Sequence, residues 1–140
     1  MLVARAAALG YPALALTDHN NLSGAVRFWR AAHDQGIRPI IGAELVLTDG
    51  PSIAPSLGAL PGPSQVQHLT LLAETQRGYA NLCRLLTRRH QAKRFRLAAE
   101  LPRLSQGVVV LTSSADLLQH LHAARVWVAA AMPRRPLSYQ

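Results

Sequence analysis

Cysteine is almost missing from this 140-residue sequence: Cys83 stands alone. A single thiol excludes an intramolecular disulfide and a cysteine-cluster zinc site. Its neighbours at helical spacing, Tyr79, Leu82 and Leu86, mark it as a small buried apolar residue rather than a reactive thiol. Long apolar runs are missing too. None approaches the ~18 uninterrupted residues a membrane helix needs, and residues 1–9 lack the organisation of a secretory signal. A soluble, cytoplasmic location with no membrane partner is therefore expected. Acids are scarce, with seven Asp and Glu against fifteen Lys and Arg, and the resulting formal charge of +8 favours polyanionic partners such as nucleic acid. What is present, 49% hydrophobic and 16% charged residues, describes a globular chain rather than a disordered one.

The pattern along the chain is α/β. Residues 2–9 read as an alanine-rich helix stopped by Gly10 and Pro12. The all-apolar run at 13–16, ending in Thr17, reads as a parallel strand buried on both faces. Asn20 or Asn21 then caps a helix over 22–35, whose packed face is expected to hold Leu22, Val26, Trp29 and Ala32, with Gly36 as its stop. A second strand over 37–47 completes a βαβ crossover. Residues 48–66 are too rich in Pro and Gly for a regular element and are expected to form a loop. A third strand follows at 68–73, then a helix over 77–93 striped by Tyr79, Leu82, Cys83 and Leu86. A short turn or helix at 98–104 precedes a fourth strand at 108–111. Ser114 is placed to cap a last helix that continues through 126–131, before a frayed tail at 132–140.

Chemistry-bearing side chains recur at the strands: Asp18 and His19 after the first, Glu44 in or just past the second, His68 at the start of the third. Imidazole nitrogen and carboxylate oxygen are usual ligands of zinc, manganese and iron, and α/β folds collect such groups from several strand ends. Spacing alone leaves a plainer alternative: Asp18 and Asn20 as helix-capping groups, Glu44 and His68 as solvated strand residues. A second cluster, Arg77, Arg84, Arg88, Arg89, Lys93, Arg94 and Arg96, falls within twenty residues. It either attracts phosphate backbones, with Arg84, Arg88, Arg89 and Lys93 the candidate contacts, or forms a solvated helix face. Only Phe95 accompanies it, which gives single-stranded bases little to stack on.

The stretch RAAALGYPALALTDHNNLSGAVRFWRAAHDQGIRPIIGAEL, followed by HLTLLAETQRGYANLCRLLT, resembles the PHP domain of bacterial DNA polymerase III alpha subunits, most closely the error-prone branch. TDHN and GAE are the diagnostic pieces. The resemblance implies a distorted seven-stranded (β/α) barrel whose strand ends bind metal ions for phosphoester chemistry, within a polymerase of DNA replication or lesion-tolerant repair. It implies that His19, Glu44 and His68 are metal ligands, for zinc or manganese, and that Asp18 orients the site. DNA or the remaining polymerase domains are the implied partners.

Departures from that pattern shape the expectation further. The family opens with an HxH pair on a strand before the first helix and closes with a DxH motif, and neither is found here. Where a later Cys or His ligand belongs, the sequence has Thr112, Ser113 and Ser114. His120 and His122, two apart on a predicted helix, point to different faces and are read as surface residues. Residues 1–131 are thus expected to form a truncated PHP domain, a partial barrel lacking its first and last strands. Its metal site is expected to be degenerate and inactive in isolation. A metal-dependent phosphoesterase and a basic nucleic-acid-binding module are the alternatives.

Overall fold

Gly10, at φ +75°, ends the first helix where the sequence places its stop, and Pro12 hands the chain to the first strand. The computed structural model describes residues 2–47, 67–92, 95–112 and 127–130. In chain order these form α1 (Leu2–Ala8), β1 (Ala13–His19), α2 (Ala25–Asp34), β2 (Arg38–Leu47), β3 (Gln67–Ala73), α3 (Gln76–Gln91), α4 (Leu97–Leu104), β4 (Val108–Thr112) and β5 (Trp127–Ala130). The strands make one sheet in the order β1-β2-β3-β4-β5. The outer pairs β1/β2 and β4/β5 are parallel, while β2/β3 and β3/β4 are antiparallel. The βαβ crossover read from residues 13–47 is present. No helix among the described residues is long and apolar enough to cross a membrane.

Strand alternation gives the sheet two unlike faces. One face presents Leu14 and Leu16, Ile41, Ala43 and Leu45, Leu69 and Leu71, Val108 and Val110. Against it α3 and α4 pack Leu82, Leu85, Leu86, Leu97, Leu101 and Leu104. A second cluster on the same face joins Val3 and Ala6 of α1 to Phe28 and Ala32 of α2. Burying each leucine of this kind contributes about 1.5–3 kcal/mol, and Leu45, Leu69 and Leu71 have no exposed surface at all. The opposite face carries His19, Glu44, His68 and Thr70.

Several elements differ from their sequence reading, each for a physical reason. β1 is an edge of the described sheet, so its residues are half-buried or exposed rather than sealed on both sides. α2 starts at Ala25 after Gly24, not at Leu22 after an asparagine cap. It packs through Ala25, Phe28 and Ala32 and leaves Val26 and Trp29 60% and 51% exposed. Small alanines bring the helix close to the sheet, and the Trp29 ring instead stacks on His33. Cys83 is half-buried and Tyr79 exposed, so the packed stripe of α3 runs through Leu82, Leu85 and Leu86. Residues 127–130, expected inside a helix, form β5 because pairing with β4 satisfies their backbone along a whole strand. The loop at 48–66, the helix beginning at Ser114, His120, His122 and the tail at 132–140 lie outside the described residues.

Candidate metal centre

Register brings the three candidate ligands together. In the parallel β1/β2 pair His19 stands opposite Glu44, so both side chains leave the same face. In the antiparallel β2/β3 pair Glu44 is opposite Thr70 and Val46 opposite His68. His68 is therefore the diagonal neighbour of Glu44, within reach of a long side chain. His68 Nδ1 lies 2.6 Å from Glu44 Oε1, and His19 Nδ1 lies 3.4 Å from Glu44 Oε2. The glycine of the GAE motif has a steric cause: a Cβ on Gly42 would meet the Leu71 carbonyl oxygen at 2.5 Å and Leu72 Cδ2 at 2.7 Å. β2 and β3 can thus approach closely beside the site.

The turn after β1 is fastened by the polar residues of TDHNN. Asn20 adopts φ 55°, in the left-handed region that asparagine tolerates better than most residues. Its N–H donates to the Glu44 carbonyl at 2.8 Å, and its Oδ1 accepts from Val46 N at 3.2 Å. Asn21 Nδ2 donates to the His19 carbonyl at 2.8 Å, while Asn21 Oδ1 accepts from Ser23 N at 2.9 Å and from Ser23 Oγ at 2.8 Å. Asp18, on the opposite face from His19, accepts from Gly24 N at 2.7 Å and so anchors the start of α2. A side chain on Gly24 would crowd that carboxylate, at 2.9 Å from its Oδ2. The His19 imidazole is left facing outward from this fastened turn.

The donor types fit a borderline metal, with two nitrogens and one carboxylate. Exposure permits entry: the side chains of His19, His68 and Glu44 are 69%, 55% and 24% exposed. Among the described residues, however, no three ligating groups are arranged around a common vacant centre. Both imidazoles address the carboxylate itself. Because an ionised carboxylate only accepts, His68 Nδ1–H is the donor to Glu44. Ligands on one tetrahedral ion sit roughly 3.3 Å apart, given bonds of ~2.0–2.1 Å. The His19–Glu44 separation fits that spacing, whereas His68 must release Glu44 before both can bind one ion through these atoms. Thr112 is opposite Leu69 and shares its buried side of the sheet, where its hydroxyl donates to the His68 carbonyl at 3.4 Å. It faces away from the three candidates.

Three arginines of α3, Arg84, Arg88 and Arg89, are engaged within the protein. Arg84 Nη1 donates to Asn81 Oδ1 at 3.2 Å, and Arg88 pairs with Glu100. Arg89 is turned inward: its Nε donates to Asn20 Oδ1 at 3.0 Å, its Nη2 to the Val46 carbonyl at 2.5 Å, and its guanidinium lies 5.7 Å from the centre of the Phe95 ring. His90 Nε2–H donates to the Asn20 carbonyl at 2.7 Å. Lys93 lies outside the described residues. Sequence reading missed the roles of Arg89 and His90, since nothing in an arginine-rich run singles out the member whose helix end crosses the sheet rim. Away from the site, on the helix-covered face, a cavity of about 420 Å³ between α2 and α3 is lined by Val26, Trp29, Ile41 and Tyr79 among others. The Tyr79 hydroxyl there is held above the ordinary phenol value, first by the charge of neighbouring Cys83, then by burial and by a hydrogen bond to Cys83.

Comparison with known proteins gives a consistent picture. The chain is 54% identical over 89 residues to an error-prone DNA polymerase of Symbiobacterium thermophilum, covering 64% of this chain and 7% of that protein. It is 38% identical over 138 residues to the error-prone DNA polymerase of Pseudomonas aeruginosa, covering 96% of this chain and 12% of the relative. The DNA polymerase III alpha subunit of Escherichia coli K12 is 43% identical over 90 residues, or 64% of this chain and 7% of the subunit. The chain therefore spans only 7–12% of the length of these relatives. Among solved structures, a Bifidobacterium adolescentis protein assigned as a metal-dependent phosphoesterase superposes with a TM-score of 0.52 at 13% identity, covering 91% of this chain and 69% of its own. That likeness concerns the fold, and it agrees with a mixed α/β sheet forming part of a PHP-type barrel. With the PHP domain profile matching residues 1–133, the chain belongs to the PHP domain family.

Proposed function

We propose that this chain is part of the PHP domain of an error-prone-type bacterial DNA polymerase, in which His19, Glu44 and His68 hold one divalent ion, zinc or manganese. The ion is held weakly, and this chain alone does not turn over phosphoesters. The observation that carries the reading is the convergence of two imidazoles on one carboxylate across three strands, from positions 19, 44 and 68. Support for the polymerase setting comes from relatives named as error-prone DNA polymerases and DNA polymerase III alpha subunits. The remaining polymerase domains are then the partners of this chain, and DNA is the partner of the whole.

A bound ion would supply Lewis acidity toward phosphoryl oxygens. The chain's own contribution is to hold donors of suitable type on adjacent strands, with Asp18 orienting the site indirectly through the turn it anchors. Manganese titration followed by electron paramagnetic resonance, with zinc as competitor, tests this. One weakly bound ion is expected, with affinity lowered at least about tenfold by Glu44→Ala. A generic aryl phosphate should not be hydrolysed with either metal. Absence of any bound ion would overturn the metal assignment. Metal-dependent hydrolysis that disappears in His19→Ala would replace the inactive reading with that of a phosphoesterase.

A further inference from the structure

We infer that Arg89 is a positioning residue for this metal group, acting through Asn20 to fix His19 opposite Glu44; the inference rests on the metal-binding reading above. His19 is the last residue of β1, and its side chain is mostly exposed, so packing does little to restrain the imidazole. Its backbone is held by Asn21 Nδ2 at its carbonyl and, through the chain, by the residue that follows. Asn20 holds a positive φ, continues the β1/β2 ladder through its N–H to Glu44 O, and accepts three further hydrogen bonds. Arg89 Nε and Val46 N both donate to its Oδ1, and His90 Nε2–H donates to its carbonyl. The other arm of the same guanidinium reaches the Val46 carbonyl on β2, two residues beyond Glu44.

One planar group therefore bridges Asn20, just past β1, and Val46 on β2. It ties the two strands together one to two residues past the point where His19 and Glu44 meet. Phe95 lies beside the guanidinium and helps fix its plane. A lysine keeps the charge but cannot offer two donors in a fixed fork, so Arg89→Lys removes the span while leaving the charge in place. This separates positioning from a general electrostatic effect, and from phosphate attraction, which lysine would retain.

The test uses the whole chain carrying Arg89→Lys, Arg89→Met or Asn20→Gly, the last keeping the left-handed turn accessible while deleting the gripped oxygen. In metal-free protein, imidazole ¹H–¹⁵N spectra should move His19 toward the signature of a free exposed ring while His68 stays on Glu44. Manganese affinity should fall by between about 10- and 100-fold in all three variants, the range expected when a group supporting a ligand is lost. Unchanged His19 signals in a folded Arg89→Lys protein would overturn the proposal. So would equal movement of His19 and His68 with a lowered melting temperature, since that reports general loosening. Should wild type bind no manganese, the metal reading fails, while the His19 spectra still decide whether Arg89 positions the ring. Should Arg89→Met not fold, Asn20→Gly carries the same decision.

Discussion

The two faces of the sheet share strands and registers but differ in what they do. On one side Leu45, Leu69, Leu71 and Val110 are fully sealed beneath the helices, with Ala43 beside them. On the other, each a single residue away in sequence, Glu44, His68 and Thr70 stay reachable. Apolar burial rewards one side with several kcal/mol of stability. The polar side keeps groups whose value lies in what they can bind. Stability and candidate chemistry are thus divided between alternate residues of the same strands.

Substitutions placed on either face can break or sharpen that division. The largest effect is expected from Leu71→Ala, which leaves a cavity under α3 and should cost about 2–5 kcal/mol in denaturant unfolding without altering the His–Glu contacts of the surviving folded protein. Next comes Gly42→Ala, where the new methyl meets backbone of β3 beside the site. A loss of about 1–3 kcal/mol is expected from overpacking, accompanied by weaker manganese binding, so that stability and binding respond together. The smallest stability change belongs to His68→Ala, within about 0.5 kcal/mol as for other exposed positions, yet metal binding should fall sharply. A His68→Ala melting curve shifted as far as that of Leu71→Ala would erase the distinction between the faces.

Much of this layout was legible before any coordinates. The apolar runs at 13–16 and 37–47 flanking a helix declared the parallel pair, and TDHN and GAE singled out His19 and Glu44. What escaped was tertiary. Val26 and Trp29 are the bulkier apolar residues of α2, but small alanines with Phe28 let the helix lie closer, so those two were left outside. Residues 126–131 form a short apolar run that suits helix or strand equally, and only the presence of β4 beside it decides for the strand. The antiparallel β2/β3 pairing, which puts His68 diagonal to Glu44, depends on where the chain returns rather than on any local preference. Arg89 was grouped with its neighbours because charge counting cannot tell a solvated guanidinium from one folded over a strand end.

The in-register pairing of β1 with β2 carries an evolutionary consequence. Sliding either strand by one residue would exchange the inward and outward sets, burying a histidine or carboxylate among leucines and lifting a leucine into solvent. Single-residue insertions or deletions inside 13–19 or 38–47 should therefore be purged, even where they spare every motif letter. Segments that join the strands, apart from the fastened turn at 20–24, escape this register constraint.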